Sequence, residues 1–142
     1  MSIEENKAIV RRYVGVHDHK NLEVLDDIVS PDYSYHGPGD VRLNGLADLR
    51  QFISQYHTAF PDLNFTVEDM IAEGDKVVTR FKISATHTGE LTGTAPTGNQ
   101  VNATGIFIVR IVDRKVVAEW ENFDELGMMQ QIGAVPPIGE SG

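Results

Sequence analysis

The chain has 142 residues, is 41% hydrophobic, lacks cysteine and carries a formal net charge of −9. That length fits one domain with a continuous core, and the missing thiols exclude disulfides, thiolate metal sites and cysteine nucleophiles together. The acidic field repels phosphate, so neither nucleic acid nor an anionic membrane is expected as a partner.

No apolar run approaches the roughly 18–20 residues needed to cross a bilayer. The first residues, Met1-Ser2-Ile3-Glu4-Glu5-Asn6, are acidic and polar and do not read as a signal peptide. A cytoplasmic protein is the expectation.

Residues 3–17 place Ile9, Val10, Tyr13, Val14 and Val16 at helical spacing. A short second helix is predicted at about 21–29, with Leu22, Leu25, Ile28 and Val29 on one side, and Ser30-Pro31-Asp32 stopping it. Tyr33-Ser34-Tyr35-His36 leads into Gly37-Pro38-Gly39, read as a turn that uses glycine's freedom. The third helix, near 46–59, has Leu46, Leu49, Phe52, Ile53 and Tyr56 as its stripe.

After residue 62 the period changes from 3.6 to 2. Leu63, Phe65, Val67 and Ile71 mark one strand, and Glu73-Gly74-Asp75-Lys76 reads as a hairpin turn. The return strand runs from Val77 to about His87, and the Gly-rich stretch from Thr88 to Gln100 reads as a loop. Val101 to Val112 is a long strand with apolar residues on both faces, which suggests a sheet covered on both sides. Asp113-Arg114-Lys115 turns into a fourth strand over 116–123, and a helix from Glu125 to Ile132 closes the chain, with Asp124 as its cap. Helices first and an antiparallel meander afterwards give the α+β class, with helices on one face of a bent sheet. One domain over 1–142 is expected, with a loose tail from about 134.

Gly89 to Gly98 with its Ala95-Pro96-Thr97-Gly98, then Glu119-Trp120-Glu121-Asn122-Phe123-Asp124-Glu125-Leu126-Gly127 and Gln130-Gln131-Ile132-Gly133, resembles the SnoaL-like polyketide cyclase family of the nuclear-transport-factor-2-like superfamily. The Ser30-Pro31-Asp32-Tyr33 segment fits as well, so the resemblance spans nearly the whole chain. It implies a curved antiparallel or mixed sheet wrapped around the N-terminal helices, a cone-shaped barrel with one internal pocket for a small apolar ligand. The family's acid/base aspartate falls on Glu121. Its strand Gln and His fall on Gly105 and Phe107, and an Asn near the turn falls on Tyr35, beside His36. The resemblance thus carries over a carboxylate without its two polar strand partners.

Glu119 and Glu121 share one face of their strand. If that face is concave, both carboxylates look into an apolar pocket with Val117 and Phe123 beside them, and burial with mutual repulsion raises at least one pKa. If Ala118 and Trp120 point inward instead, both glutamates are solvated. The usual burial of tryptophan favours the second arrangement, and the resemblance favours Glu121 pointing in. His87 shares the parity of Val77, Phe81 and Ile83, so it faces the interior, as a core histidine or as a partner of Glu121. His57 reads as a cation at a helix C-terminus and His17 and His19 as surface residues; His17-Asp18-His19 is too weak a pattern for a metal site.

The expected site is therefore Glu121 and His87 as catalytic groups, with Tyr35, His36, Tyr56, Phe60, Phe107, Glu119 and Trp120 contacting the ligand and no metal. The function expected is cofactor-independent acid/base catalysis of the cyclase, isomerase or hydrolase type on a small apolar carbonyl- or polyketide-like molecule. The alternative is a non-catalytic small-molecule-binding protein of the same fold, or a scaffold. The two-faced strand 101–112 adds the expectation of a homodimer.

Overall fold

Ser2 starts the first helix by a reciprocal cap: its hydroxyl accepts from the Glu5 backbone N–H at 3.1 Å, and its own N–H donates to Glu5 Oε1 at 3.3 Å. A computed structural model describes residues 2–136 of the chain. Helix α1 runs over Ile3–His19 and ends at Lys20 in the left-handed region, φ 54°. Its inner face is Asn6, Val10, Tyr13, Val14 and Val16. A short α2, Val24–Ile28, passes directly into strand β1, Val29–His36. One turn of 3-10 helix at Pro38–Asp40 and strand β2, Arg42–Asn44, lead to helix α3, Leu46–Ala59. Strands β3, Asn64–Glu73, β4, Lys76–Thr86, β5, Gln100–Val112, and β6, Lys115–Phe123, precede helix α4, Glu125–Gln131. Asp124 caps α4 by accepting from the Gly127 N–H at 2.9 Å.

The six strands form one sheet in the order β2-β1-β6-β5-β4-β3. Every pair is antiparallel except β1 with β6, which is parallel. The sheet is open at β2 and β3. Helix α1 packs on β3 and β4, and α3 on β1 and β2, so the helices close what the strands leave open. Val10, Leu25, Phe60, Phe107 and Val109 are among the fully or almost fully buried residues of the core between them. No helix among the described residues is long and apolar enough to cross a membrane.

Ser30-Pro31-Asp32 does not end a helix by a turn; it lies inside β1, the strand that the hydrophobic pattern did not predict. The reason is local. Pairing with β6 is interrupted between Val29 and Ser34, and Pro31, which has no N–H to give to a ladder, occupies that gap. β2, at three residues, is too short to show a period. The sheet is also not covered on both sides: Ile106 on the outer face of β5 is 49% exposed and Trp120 on β6 is 42% exposed. Of the expected tail, residues 137–142 lie outside the described residues.

Candidate active site

A bulge in β6 decides which side chains face inward. Arg110 pairs with Ala118 and Ile111 with Val116, so Val117 is the extra residue. Val116 and Glu119 both point to the concave side as a result, and Val117, expected beside the glutamates, gives its place to Val116. Beyond the bulge the alternation holds. Glu119, Glu121 and Phe123 line the cavity, and Trp120 stands on the outer face.

The cavity has a volume of about 90 Å³ and lies between the concave sheet, α1 and α3. Its floor is aromatic: Phe65 stacks on Phe81 with ring centroids 4.6 Å apart, and Phe81 lies 5.8 Å from Phe107. Tyr35, Phe52 and Tyr56 form a side wall, each ring within 5.6 Å of the next.

Each glutamate is held by phenols. Tyr33 and Tyr35, two apart on β1, present their hydroxyls to Glu119 and Glu121, two apart on the neighbouring β6. Tyr33 donates to Glu119 Oε1 at 2.8 Å, and Tyr35 donates to Glu121 Oε1 at 2.6 Å. Tyr13 of α1 adds a second donor to Glu119 and lies 3.1 Å from the Tyr33 hydroxyl. Glu119 is only 5% exposed; Glu121 lines the cavity and is half-buried.

Burial pushes both carboxyls up. Glu119 rises to about 7 against the pull of two tyrosine hydrogen bonds. Glu121 rises to about 8, first by burial and then by the neighbouring Glu119 charge, with one tyrosine opposing. The phenols of Tyr13, Tyr33, Tyr35 and Tyr56 are all raised, chiefly by burial, so they stay protonated as donors. Two hydroxyls stabilise charge on Glu119 and one on Glu121, so Glu119 ionises first and Glu121 keeps its proton to higher pH.

The other expected site residues divide. Tyr35, Tyr56, Phe107 and Glu119 line the cavity. His36, next to Tyr35, points the opposite way, pairs in register with Trp120 and bonds Asp40 at 2.9 Å. Phe60 is fully buried behind Tyr56 and is core rather than wall. His87 is not a partner of Glu121 and does not line the cavity. Its Nδ1 lies 2.9 Å from the Thr97 hydroxyl, its backbone bonds Asn99 and Gly98, and its ring rests 5.6 Å from Phe60. It pins the 88–99 loop. Trp120, His36, Phe60 and His87 are thus removed from the cavity by strand alternation or by depth in the core.

Tyr13, Tyr33 and His17 are the side chains the sequence reading missed. His17, expected at the surface, lines the cavity and stacks on Phe65 at 5.2 Å, with its Nδ1 3.2 Å from Nε2 of His57. The signal was present: His17 follows Tyr13 by four and Val14 by three, on the buried stripe of α1. Burial lowers both imidazoles, His17 to about 3 and His57 to about 4, with nearby Lys20 adding to each. Both are neutral near pH 7. Among the described residues, no group of three or more His, Asp or Glu side chains is placed to hold a metal ion.

The position read as equivalent to a family glutamine is sealed. A Cβ on Gly105 would lie 2.5 Å from the Phe81 ring and 2.6 Å from Phe123 Cβ, so no side chain fits there.

A sequence profile described as SnoaL-like polyketide cyclase matches residues 7–132. Aklanonic acid methyl ester cyclase AcmA of Streptomyces galilaeus is 26% identical over 144 residues, covering 97% of both chains. Among solved structures, AclR, a proposed hydroxylase from Streptomyces galilaeus, superposes with a TM-score of 0.87 at 30% identity, over 98% of this chain and 87% of its own. TsrD from Streptomyces laurentii shares the fold with a TM-score of 0.84 at 24% identity, over 95% of this chain and 99% of its own. The chain belongs to the SnoaL-like polyketide cyclase family.

Proposed function

We propose that this protein is a cofactor-independent enzyme that moves protons on a small, apolar carbonyl- or polyketide-like molecule, with Glu121 as the acid/base. The observation that carries this is the Glu121 carboxyl opening into an aromatic cavity, bonded to the Tyr35 hydroxyl at 2.6 Å and raised to about 8. A carboxyl raised that far is available both as acid and as base near neutrality. The protonated form donates to a carbonyl oxygen. The ionised form removes a proton from the adjacent carbon, and the enolate is sheltered in an apolar site where Tyr35 keeps the carboxylate aligned. Glu119, holding the charge between Tyr13 and Tyr33, resists ionisation of its neighbour. The family and the name of AcmA support a polyketide-like substrate class. In deuterated buffer, aromatic β-keto esters should exchange their α-proton faster with the protein than without it. Glu121→Gln should remove the acceleration; an unchanged rate in that variant would take Glu121 out of the chemistry.

A second reading, a binding protein of the same fold, is favoured by Gly105 and Phe107, which leave β5 without a polar group toward the cavity. A ligand that co-purifies and is recovered unaltered after long incubation would support it over the first.

The protein is read as one domain over 1–142 and as a homodimer. Ile71, Val78, Ile108 and Trp120 pair in register across four strands and form an apolar row on the outer face, ending at His36. With Ile71 62% exposed and Ile106 beside the row 49% exposed, a second copy is the simplest cover. The absence of cysteine and the acidic composition support a cytoplasmic setting.

A further inference from the structure

His17 is a polar group at the end of the cavity away from the glutamates. Glu119 and Glu121 belong to β6, while the His17 ring stacks on Phe65 of β3, three strands along the sheet. At strand spacing that is about 14 Å along the surface, with Phe81 and Phe107 filling the interval. Around His17 the cavity wall is Val14, Ile53, Leu63 and Phe65, all hydrocarbon. A leucine would fill the space without the cost of burying an imidazole.

The His17 ring is held on two sides. Phe65 lies parallel to it at 14°, and His57 meets it edge-on at 84° with the Nδ1 to Nε2 contact of 3.2 Å. Its remaining nitrogen, Nε2, has no hydrogen-bond partner among the described residues. The charged groups near the pair are Lys20, whose ammonium donates to the His17 carbonyl at 2.5 Å, and Asp18 and Asp62 beyond it. Burial keeps both rings neutral, and the Lys20 charge adds to it. A neutral pair shares one proton across its contact and so has two tautomers. In one, His17 Nε2 is a bare acceptor; in the other it carries a hydrogen. A hydroxyl satisfies either, because it can both give and accept, whereas a ketone satisfies only the second.

We propose that His17 Nε2 is a ligand-binding group that hydrogen-bonds a phenolic or enolic hydroxyl, with His57 fixing the ring, so that the ligand carries a carbonyl at the Glu121 end and a hydroxyl at the other. This rests on the cavity being a ligand site, as proposed above. The ligand class is then a flat hydroxyaryl ketone.

The test compares 6-hydroxy-1-tetralone with 1-tetralone, by NMR titration of the wild-type protein labelled with 15N at histidine. The hydroxyl should improve affinity roughly tenfold, the size of one neutral hydrogen bond in a dry site. It should also move the His17 Nε2 resonance, which 1-tetralone leaves in place. In His17→Phe the advantage should vanish while 1-tetralone binds within about twofold of wild type. Equal wild-type affinities with an unmoved Nε2 resonance would overturn the role of His17 and leave the cavity reading intact. Failure of both ketones to bind would overturn the two together. Because the wild-type comparison and the nitrogen resonance need no variant, poor folding of His17→Phe does not rescue the proposal.

Discussion

The hydroxyl of Tyr35 donates to Glu121 Oε1 at 2.6 Å across 86 residues of sequence, and Gly37 makes that bond possible. A Cβ on Gly37 would sit 2.3 Å from the Tyr35 oxygen. Its φ of −121° is open to any residue, so the glycine serves close approach rather than backbone freedom. Gly37→Ala should push the phenol off Glu121 and cost about 1–3 kcal/mol by overpacking, read by thermal denaturation. Tyr35→Phe should leave the carboxyl without its donor and raise its pKa further. Both variants should shift the pH profile of α-proton exchange upward.

Stability should fall between pH 6.5 and 8. The two glutamates are raised to about 7 and about 8, so in this window the folded chain holds protons that the unfolded chain has released. Rising pH therefore favours unfolding. The depressed His17 and His57 work in the opposite direction, but their contribution is complete once pH passes the unfolded value of 6.5. A loss of about 1 kcal/mol per pH unit is expected, below the full value for one group because Glu121 opens onto the cavity. Chemical denaturation at several pH values should show it, and Glu121→Gln should flatten the slope. A flat wild-type curve would mean that neither carboxyl is raised.

The turn between β5 and β6 carries removable strain. Asp113 and Arg114 both adopt positive φ, 50° and 64°, in a two-residue hairpin loop. Arg114→Gly should stabilise by about 0.5–1 kcal/mol, since glycine accepts that conformation without a Cβ clash. The Arg114–Glu5 contact it removes is long, 3.9 Å, and exposed, and contributes little.

Much of this was legible from periodicity. The stripes of α1 and α3, the Gly74-Asp75 hairpin and the Asp124 cap all follow from spacing and turn chemistry. β1 was not, because Pro31 and the interrupted pairing hide its alternation, and its burial depends on a partner strand more than 80 residues later. The two glutamates were identifiable as a same-face pair, but their direction was not. Trp120 made the opposite face look like the buried one, and its partial exposure fits a surface that a second copy covers. Nothing in the spacing of His17 and His57 joins them, 40 residues apart on different helices; the fold brings their rings together beside Phe65.

That outer face gives its own test. Trp120→Glu should convert a dimer to a monomer by light scattering while leaving α-proton exchange in place, since Trp120 faces away from the cavity. A wild-type protein that is already monomeric at high concentration would remove the dimer.

Glu121 is expected to keep its proton close to neutral pH inside the cavity. The direct measurement is a 13C NMR titration of the glutamate side-chain carboxyls, with Glu121→Gln and Glu119→Gln to assign the two buried resonances. The expected result is a Glu121 carboxyl that titrates near 8, and lower once Glu119 is neutral. A Glu121 carboxyl that titrates near 4.5, the ordinary value, and is indifferent to Glu119→Gln would contradict it.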